Sequence, residues 1–278
     1  MKLYTYKAFG INKNYGNLAG VCLEEMLSNK EKQKIAKKLG YSETAFIERR
    51  SENEFKIEFF TPNSQIEVCG HATIASFSFL FKEKIITQGN YIMDTTIGTF
   101  SVQVTSKGKV MMEQKLPIFY GKLDKEEIAI SLGIGEDDII DNVPINIVST
   151  GLKDIFIGVK NREILYNMKP NFQFIKEISE KYKCIGYHVY TLECDNVAAE
   201  CRNFAPLYDI DEECATGTSS GALSCLLYKY NMINKEECGN IILNQGKSMD
   251  NPCEIFVNLE LYEGEIRSVY VGGQAFKN

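Results

Sequence analysis

Hydrophobic and polar positions follow one outline twice along the chain. Strands are predicted at 3–9, 45–48, 55–60, 91–94, 98–105 and 109–114 in the first half, and at 137–143, 145–149, 155–159, 187–192, 197–204, 240–243, 254–261 and 266–272 in the second. These short runs carry β-branched and aromatic residues and end at turn residues. An apolar segment of helical length, 72–82 in one half and 219–229 in the other, interrupts the strands at corresponding places. The pattern predicts an α+β protein with two similar halves.

Start and stop signals add three polar helices to this outline. Ser28 with Glu31 forms a capping-box pattern, and Gly40 is placed to end the helix that follows. In the second half, Asp124 could cap a helix that Gly133 ends, and 172–182 reads as a helix without a counterpart in the first half.

Two related motifs precede the apolar helices. Cys69-Gly70-His71-Ala72-Thr73 and Cys214-Ala215-Thr216-Gly217-Thr218 lie 145 residues apart, about half of the 278-residue chain. A repeat at this offset indicates an internal duplication. We therefore predict one domain over 1–118 and a second over 119–263, with 264–278 as a candidate to complete the first.

Composition and charge narrow the function classes. A net charge of −6 argues against non-specific nucleic-acid binding, and no apolar run is long enough to predict a membrane-spanning helix. The alternating segment 3–7 reads as a strand and not as a signal peptide. Nine scattered cysteines predict reduced thiols in the cytoplasm. With only two histidines and no cluster at ligand spacing, zinc and other metals are not expected.

The two motifs carry the candidate chemistry. A helix N-terminus presents unpaired N–H groups, and the small residues Gly70, Ala72, Gly217 and Thr218 would let a carboxylate-bearing ligand approach them. Tight helix–sheet packing is the competing explanation of these small residues, and both motifs together favour ligand binding. A cysteine at such an N-terminus has a lowered pKa. Cys69 and Cys214 could therefore exchange a proton at carbon, whereas the other seven cysteines are best explained as small buried side chains.

Three further residues extend the candidate site. Glu43 lies between Gly40 and a strand; its spacing alone favours a solvated loop glutamate, and partial desolvation with a raised pKa is the alternative. His71, two residues from Cys69, is a candidate substrate contact. Glu213 is a similar candidate, although a carboxylate near a helix start is also explained by the helix dipole.

These stretches resemble the PhzF family of phenazine biosynthesis, within the wider fold of diaminopimelate epimerase and proline racemase. Residues 42–46 read SETAF against the family's "SETxF", and 68–73 read VCGHAT against "CGHAT". The opening, Phe9-Gly10 with Gly16-Asn17-Leu18-Ala19-Gly20-Val21, is similar to "FxGNPAAV". Further similarities are found at 60–62, at 202–206, at 245–246 and at 271–273. The similar stretches span nearly the whole chain.

The resemblance implies a fold and a reaction. It implies two similar domains, each a curved, mostly antiparallel sheet wrapped round a central helix, with the active site between them. It implies an isomerase that needs no cofactor, with a small carboxylate-bearing substrate and a homodimer as further expectations. The acid/base role of the "SETxF" glutamate falls on Glu43, the substrate-holding role of the "CGHAT" histidine falls on His71, and Asn17 in the opening motif becomes a substrate-binding candidate.

The second motif departs from the family pattern. Glu213-Cys214-Ala215-Thr216-Gly217-Thr218 stands where the family usually reads "DPATGS". Cys214 replaces a proline, at the place where epimerases and racemases carry their second catalytic cysteine. A PhzF-like isomerase using Glu43 is the leading hypothesis. A two-cysteine amino-acid racemase or epimerase, and a non-catalytic small-molecule binder, remain the alternatives.

Overall fold

The structure is a computed structural model that describes residues 2–23 and 27–278. Its strands are β1 (Leu3–Ala8), β2 (Asn17–Leu23), β3 (Glu43–Arg49), β4 (Glu54–Phe60), β5 (Gln65–Ile66), β6 (Gly89–Thr95), β7 (Gly98–Val104), β8 (Val110–Gln114), β9 (Ile118–Lys122), β10 (Asn146–Ser149), β11 (Lys153–Val159), β12 (Tyr187–Thr191), β13 (Ala199–Ala205), β14 (Ile210–Glu213), β15 (Ile241–Gln245), β16 (Cys253–Tyr262), β17 (Glu265–Gly273) and β18 (Ala275–Lys277). Its α-helices are α1 (Asn29–Leu39), α2 (Gly70–Lys82), α3 (Lys125–Leu132), α4 (Arg162–Asn167), α5 (Phe172–Tyr182) and α6 (Gly217–Lys229).

The chain divides into two compact units. The first runs up to Glu113 and includes Gly272–Asn278, and the second is Gln114–Val271. In the first unit, neighbouring strands follow the order β18-β1-β2-β3-β4-β6-β7-β8. From β1 onward to β7 the pairs alternate between antiparallel and parallel, and each parallel pair is joined through a connection that contains a helix, α1 or α2.

The second unit repeats this order. Its strands pair as β9-β10-β11-β12-β13-β15-β16, and from β10 to β16 the same alternation of antiparallel and parallel pairs recurs. Helices α4 and α5 join the first parallel pair, and α6 joins the second. The α+β fold with two similar halves, predicted from the repeated pattern, is confirmed.

One helix lies in the core of each unit. All nine residues from Ala72 to Leu80 of α2 are buried, as are all nine from Ser219 to Leu227 of α6. Helix α2 packs on β1, β2, β3 and β18, and α6 packs on β10 and β16. A helix that is apolar on every side is stable only when it is covered on every side. This explains why both segments are rich in apolar and small residues, with the hydroxyls of Ser76 and Ser220 donating to backbone carbonyls one turn back in their own helices.

The predicted caps of α1 are confirmed. The backbone N–H of Ser28 donates to Glu31 Oε2 at 2.9 Å, and Ser28 Oγ accepts the N–H of Glu31 at 3.4 Å. Gly40 ends the helix in the left-handed region, with φ of 68°. Gly133 ends α3 in the same way at φ of 66°, whereas the Asp124 side chain makes no capping hydrogen bond.

The predicted strand at 137–143 is wrong. A 3₁₀ turn occupies Glu136–Asp138, closed by the Gly135 N–H donating to Asp138 Oδ2 at 2.8 Å. The three acidic side chains favour this local hydrogen bonding over a ladder, and a single bridge joins Ile139 to Val159. In contrast, β2 and α4 form where the sequence pattern predicted no element.

The cysteines and the helices answer two further expectations from the sequence. The nine cysteines are all free thiols. Within the described residues, none of the helices combines the length and apolar composition that a membrane crossing requires.

Candidate active site

Glu43, Cys69 and His71 come together in the first unit. Glu43 is the first residue of β3, Cys69 is the N-cap of α2, and His71 lies in the first turn of that helix. Glu43 Oε2 lies 2.9 Å from His71 Nε2, and Cys69 Sγ lies 3.4 Å from His71 Nδ1. The side chains of Glu43 and His71 are only 17% and 10% exposed. Glu43 Oε2 is buried without an aligned hydrogen-bond donor, so this oxygen can still accept a proton.

Burial and mutual contact set the protonation of the three groups. Burial raises the pKa of Glu43, but polar contacts with His71, Ser42 and Cys69 and the His71 charge lower it by more, so the net shift is downward. Burial lowers the pKa of His71, but the Cys69 sulfur and the Glu43 carboxylate raise it well above its usual value. Near neutral pH the pair is therefore an imidazolium and a carboxylate in a desolvated pocket.

The pKa expected for Cys69 is wrong. Burial raises the pKa of this thiol, with Glu43 adding to the effect and His71 opposing it. Desolvation of the thiolate outweighs the helix N-terminus that was expected to lower this pKa. The solvated position that spacing favoured for Glu43 is also wrong, because its side chain is largely buried. The alternative of desolvation holds, but the pKa of Glu43 is lowered and not raised, because His71 lies beside it.

The other predicted residues of the first unit lie near this cluster. Gly70 begins α2, and a Cβ placed on it would meet no atom within 4 Å, so the space beside its backbone is open. Ala72 is buried in the same turn. Asn17 begins β2, where the parallel register sets Ala19 opposite Glu43. Because side chains alternate along a strand, Asn17 is on the same sheet face as Glu43, one strand away.

The second motif forms a tight turn in the second unit. Cys214 and Ala215 are buried, and Thr216 is the N-cap of α6. The Gln245 side chain holds the turn: its Oε1 accepts the Thr216 N–H at 3.1 Å, and its Nε2 donates to the Glu213 carbonyl at 2.6 Å. Thr216 Oγ1 also donates to Glu213 Oε2 at 3.2 Å. This carboxylate is thereby fixed next to the helix N-terminus.

Close backbone packing surrounds Cys214. Gly246 has φ of 82°, and a Cβ there would lie 2.7 Å from the Cys214 carbonyl oxygen and 2.3 Å from that of Asn251. The Cys253 thiol donates to the Asn251 carbonyl at 3.3 Å. Its contact with Cys214, together with burial, raises the pKa of Cys253. Cys253 therefore lies beside Cys214 in this closely packed turn.

The remaining residues of the second motif are held by buried polar groups. Gly217 begins α6, and the carbonyl of Thr218 accepts the Thr150 hydroxyl at 3.0 Å. At the next residue, Ser219 Oγ donates a hydrogen bond to Asp154 Oδ2. Asp154 is 2% exposed and also accepts the Gly186 N–H at 3.1 Å. The first turn of α6 is therefore anchored to a buried carboxyl group.

Asp154→Asn is expected to gain stability relative to the native protein as pH rises. Burial, with a smaller contribution from the Glu213 charge, raises the pKa of Asp154 from 3.8 to about 6. A raised carboxyl pKa favours folding below pH 3.8, and this contribution is lost between 3.8 and 6. Asparagine does not have to ionise in the buried site, so the difference in free energy of unfolding should shift in its favour by about 2 kcal/mol between pH 4 and pH 7. Urea unfolding at four pH values measures this difference.

Asp141→Asn provides a control of opposite sign. The hydrogen bond and charge of Lys125 lower the pKa of this exposed aspartate, so its ionised form favours folding and the variant should lose relative stability as pH rises. If the difference in free energy of unfolding between Asp154→Asn and the native protein stays constant from pH 4 to pH 7, the raised pKa of Asp154 is contradicted.

Sequence reasoning missed several contributors to the two sites. Ser42 Oγ lies 3.5 Å from His71 Nε2, and Gln245 and Cys253 support the second motif. Ser42 and Gln245 lie in stretches that resemble family motifs, which was their only signal. No local signal marks Cys253, because strand pairing of β15 with β16 brings it to the site.

The expectation that no metal-ligand cluster exists also needs correction. The ligand atoms of Glu43, Cys69 and His71 lie within 4.8 Å of one another. Cys69 and His71 are close in sequence, but Glu43 joins them only through the fold. The spacing of cysteines and histidines alone could not predict this group.

Comparison with known proteins identifies the chain. The sequence profile of the phenazine biosynthesis-like protein family, PhzC-PhzF, matches residues 6–277. The chain belongs to this family. An uncharacterized isomerase of Clostridium acetobutylicum is 34% identical over 241 residues, which cover 83% of this chain and 80% of the relative. Several of its relatives are named isomerases, and this PhzF family member is an isomerase.

Solved structures agree with this membership. The PhzF family phenazine biosynthesis protein of Bacillus anthracis matches with a TM-score of 0.87 and 27% identity, covering 100% of this chain and 97% of that chain. A probable proline racemase from Agrobacterium radiobacter matches with a TM-score of 0.61 at 12% identity, covering 99% of this chain and 90% of that chain. The second likeness shows the fold alone. The predicted epimerase-like fold of this PhzF family member is confirmed.

Proposed function

We propose that this PhzF family isomerase moves a proton between carbon atoms of a small carboxylate substrate without a cofactor, and that Glu43 is its acid/base. The observation that carries the proposal is the buried pair of Glu43 and His71, at 2.9 Å, with Glu43 Oε2 lacking an aligned donor. A general base must have a free acceptor atom within reach of the proton that it removes. Glu43 Oε2 meets this requirement.

Proton transfer between the substrate and Glu43 leaves the total charge of Glu43, His71 and the substrate unchanged. Glu43 removes a proton from a carbon and becomes a carboxylic acid, while the C–H electron pair passes into the conjugated system of the substrate. The negative charge thus moves from Glu43 to the substrate, and the His71 imidazolium lies close enough to stabilise it. Glu43 then returns the proton to another carbon of the same system. A lowered pKa of Glu43 keeps the carboxylate ionised and ready at neutral pH.

Substrate contacts are proposed at both helix N-termini. The N–H groups of Gly70, His71 and Ala72 lie in the first turn of α2, where they have no partner within the helix, and the space beside Gly70 is open. Such groups bind carboxylates. The further proposed contacts are Asn17, Glu213, Gly217 and Thr218.

A two-thiol racemase or epimerase is the second candidate. It would use Cys69 and Cys214 as the two acid/base groups. It is favoured by their positions, at the N-cap of α2 and two residues before the N-cap of α6. The raised pKa of Cys69 counts against it, because burial disfavours the thiolate form that would have to remove the proton. The Glu43 mechanism is therefore preferred.

Solvent deuterium incorporation tests the proposed reaction. The protein is incubated in heavy water with L-proline, other L-amino acids and unsaturated carboxylic acids, and proton NMR follows loss of C–H signals. Loss of a C–H signal with formation of an isomer supports an isomerase of this kind. Binding of an acid, seen by calorimetry, without any deuterium incorporation would instead support a non-catalytic binder.

Cys214→Ser separates the two mechanisms. Under the Glu43 mechanism the variant should keep turnover within about threefold, because no thiol carries the proton. Under the two-thiol mechanism, loss of one acid/base group should reduce turnover by about 10²–10⁴-fold. The deuterium assay on the substrate found above measures this effect, and a loss in that range would replace Glu43 by the thiol pair.

A further inference from the structure

The buried cluster of Glu43, Cys69 and His71 combines the three ligand types that zinc prefers. Glu43 offers a carboxylate oxygen, Cys69 a sulfur and His71 an imidazole nitrogen, all within 4.8 Å of one another. The cluster is also largely enclosed, with Cys69 only 9% exposed. Catalytic zinc sites use three protein ligands from this set and keep a fourth position open.

The separations fit one tetrahedral ion. Zinc binds sulfur at about 2.3 Å and nitrogen or oxygen at about 2.0–2.2 Å, which sets ligand atoms about 3.3–3.6 Å apart in a tetrahedron. His71 Nε2 lies 2.9 Å from Glu43 Oε2 and 3.9 Å from Cys69 Sγ. Both values are within about half an ångström of the tetrahedral separations. Small side-chain shifts would suffice to place an ion among the three atoms.

We infer that Glu43, Cys69 and His71 form a Zn²⁺-binding site with three protein ligands. Zinc enters as Zn²⁺, and the protons of the Cys69 thiol and the His71 imidazolium leave to solvent. One doubly charged ion replaces two protons, so the net charge of this buried cluster does not change. Mg²⁺ and Ca²⁺, which prefer oxygen ligands, should not compete for a site that contains sulfur and nitrogen.

Zinc binding and proton transfer exclude each other at this site. A bound ion occupies Glu43 Oε2 and His71 Nε2, so zinc is expected to inhibit the isomerase. The zinc site does not rest on the proposed function, because metal binding is measured without any substrate.

X-ray absorption on the wild-type protein with one equivalent of Zn²⁺ gives the first test. The site predicts one sulfur at about 2.3 Å and three nitrogen or oxygen atoms at about 2.0–2.2 Å, one of them from water. Two sulfur neighbours would overturn the proposal, because they would indicate binding at Cys214 and Cys253. This measurement needs no variant, so impaired folding of a mutant cannot affect it.

Variants with a matched control give the second test. Zinc affinity is measured by competition with a chromogenic chelator, and Co²⁺ binding by the absorption band of a cobalt–thiolate bond. Cys69→Ser and Glu43→Gln should each weaken zinc binding by about 100-fold or more, and Cys69→Ser should abolish the cobalt–thiolate band. Cys214→Ser should leave the zinc affinity within about threefold of wild type and should retain the cobalt–thiolate band. Loss of the band in Cys214→Ser with retention in Cys69→Ser would overturn the site, as would unchanged zinc affinity in both first-unit variants.

Discussion

Glu43→Gln is expected to lower the rate of solvent deuterium incorporation by about 10²–10⁴-fold, the usual contribution of a positioned acid/base. Glutamine keeps the size of the side chain but presents an amide that cannot take a proton from carbon. Because His71 loses its charged partner at 2.9 Å, the variant should also bind an anionic substrate no less tightly. The measurement is the rate of C–H loss in heavy water, at saturating concentration of the substrate identified for the wild type.

Glu48→Gln is the matched control. Glu48 lies on the same strand, β3, and pairs with Arg50 at 3.0 Å, with its side chain 29% exposed. The same chemical change there should leave the rate within about twofold of wild type. Circular dichroism and urea unfolding of both variants separate loss of chemistry from loss of fold. A Glu43→Gln variant that is folded and retains full rate would exclude Glu43 as the acid/base.

Phe77→Ala is expected to lower the free energy of unfolding by about 3–5 kcal/mol, the range for large-to-small aromatic substitutions in a core. Phe77 lies within the buried stretch of α2 and is fully buried. Its ring centroid is 5.9 Å from that of Phe55, edge to face, and 6.0 Å from that of Tyr91. The alanine would remove both ring contacts and leave a cavity between the core helix and the sheet.

Urea unfolding followed by tyrosine fluorescence measures the loss. Phe77→Leu should lose clearly less, because leucine fills part of the cavity. Phe100→Ala, at a partly exposed position on β7, should lose less than Phe77→Ala. A loss below about 1 kcal/mol for Phe77→Ala would mean that α2 is not the packing centre of the first unit.

Local signals in the sequence predicted local features well. Ser28, Glu31 and Gly40 predicted the ends of α1, because capping depends on residues a few positions apart. The two core helices were evident because burial on all sides favours a segment of helical length in which apolar and small residues predominate. The prediction of a strand at 137–143 failed because hydrophobic content alone does not show that Gly135 and Asp138 form a hydrogen-bonded turn there.

The chemistry of the candidate site was less accessible to sequence reasoning. The expectation for Cys69 used the helix N-terminus, which is a local feature, whereas desolvation depends on the whole unit. Glu43 and His71 are 28 residues apart, so no spacing rule could predict their contact. Cys253 reaches Cys214 through the pairing of Gln245 with Cys253. Tertiary contacts of this kind decide protonation, and only the fold reveals them.

The first unit is complete only after its C-terminal strand, β18, has been synthesised. This strand pairs with β1, and its neighbour Gln274 accepts the Phe9 N–H at 2.8 Å. Residues Gln114–Val271 lie between the two parts of this unit. At roughly 5–20 residues per second, a ribosome needs on the order of ten to thirty seconds to make that stretch. Strand β1 therefore emerges long before its partner β18, and during that time one of its edges lacks the strand that covers it in the folded protein.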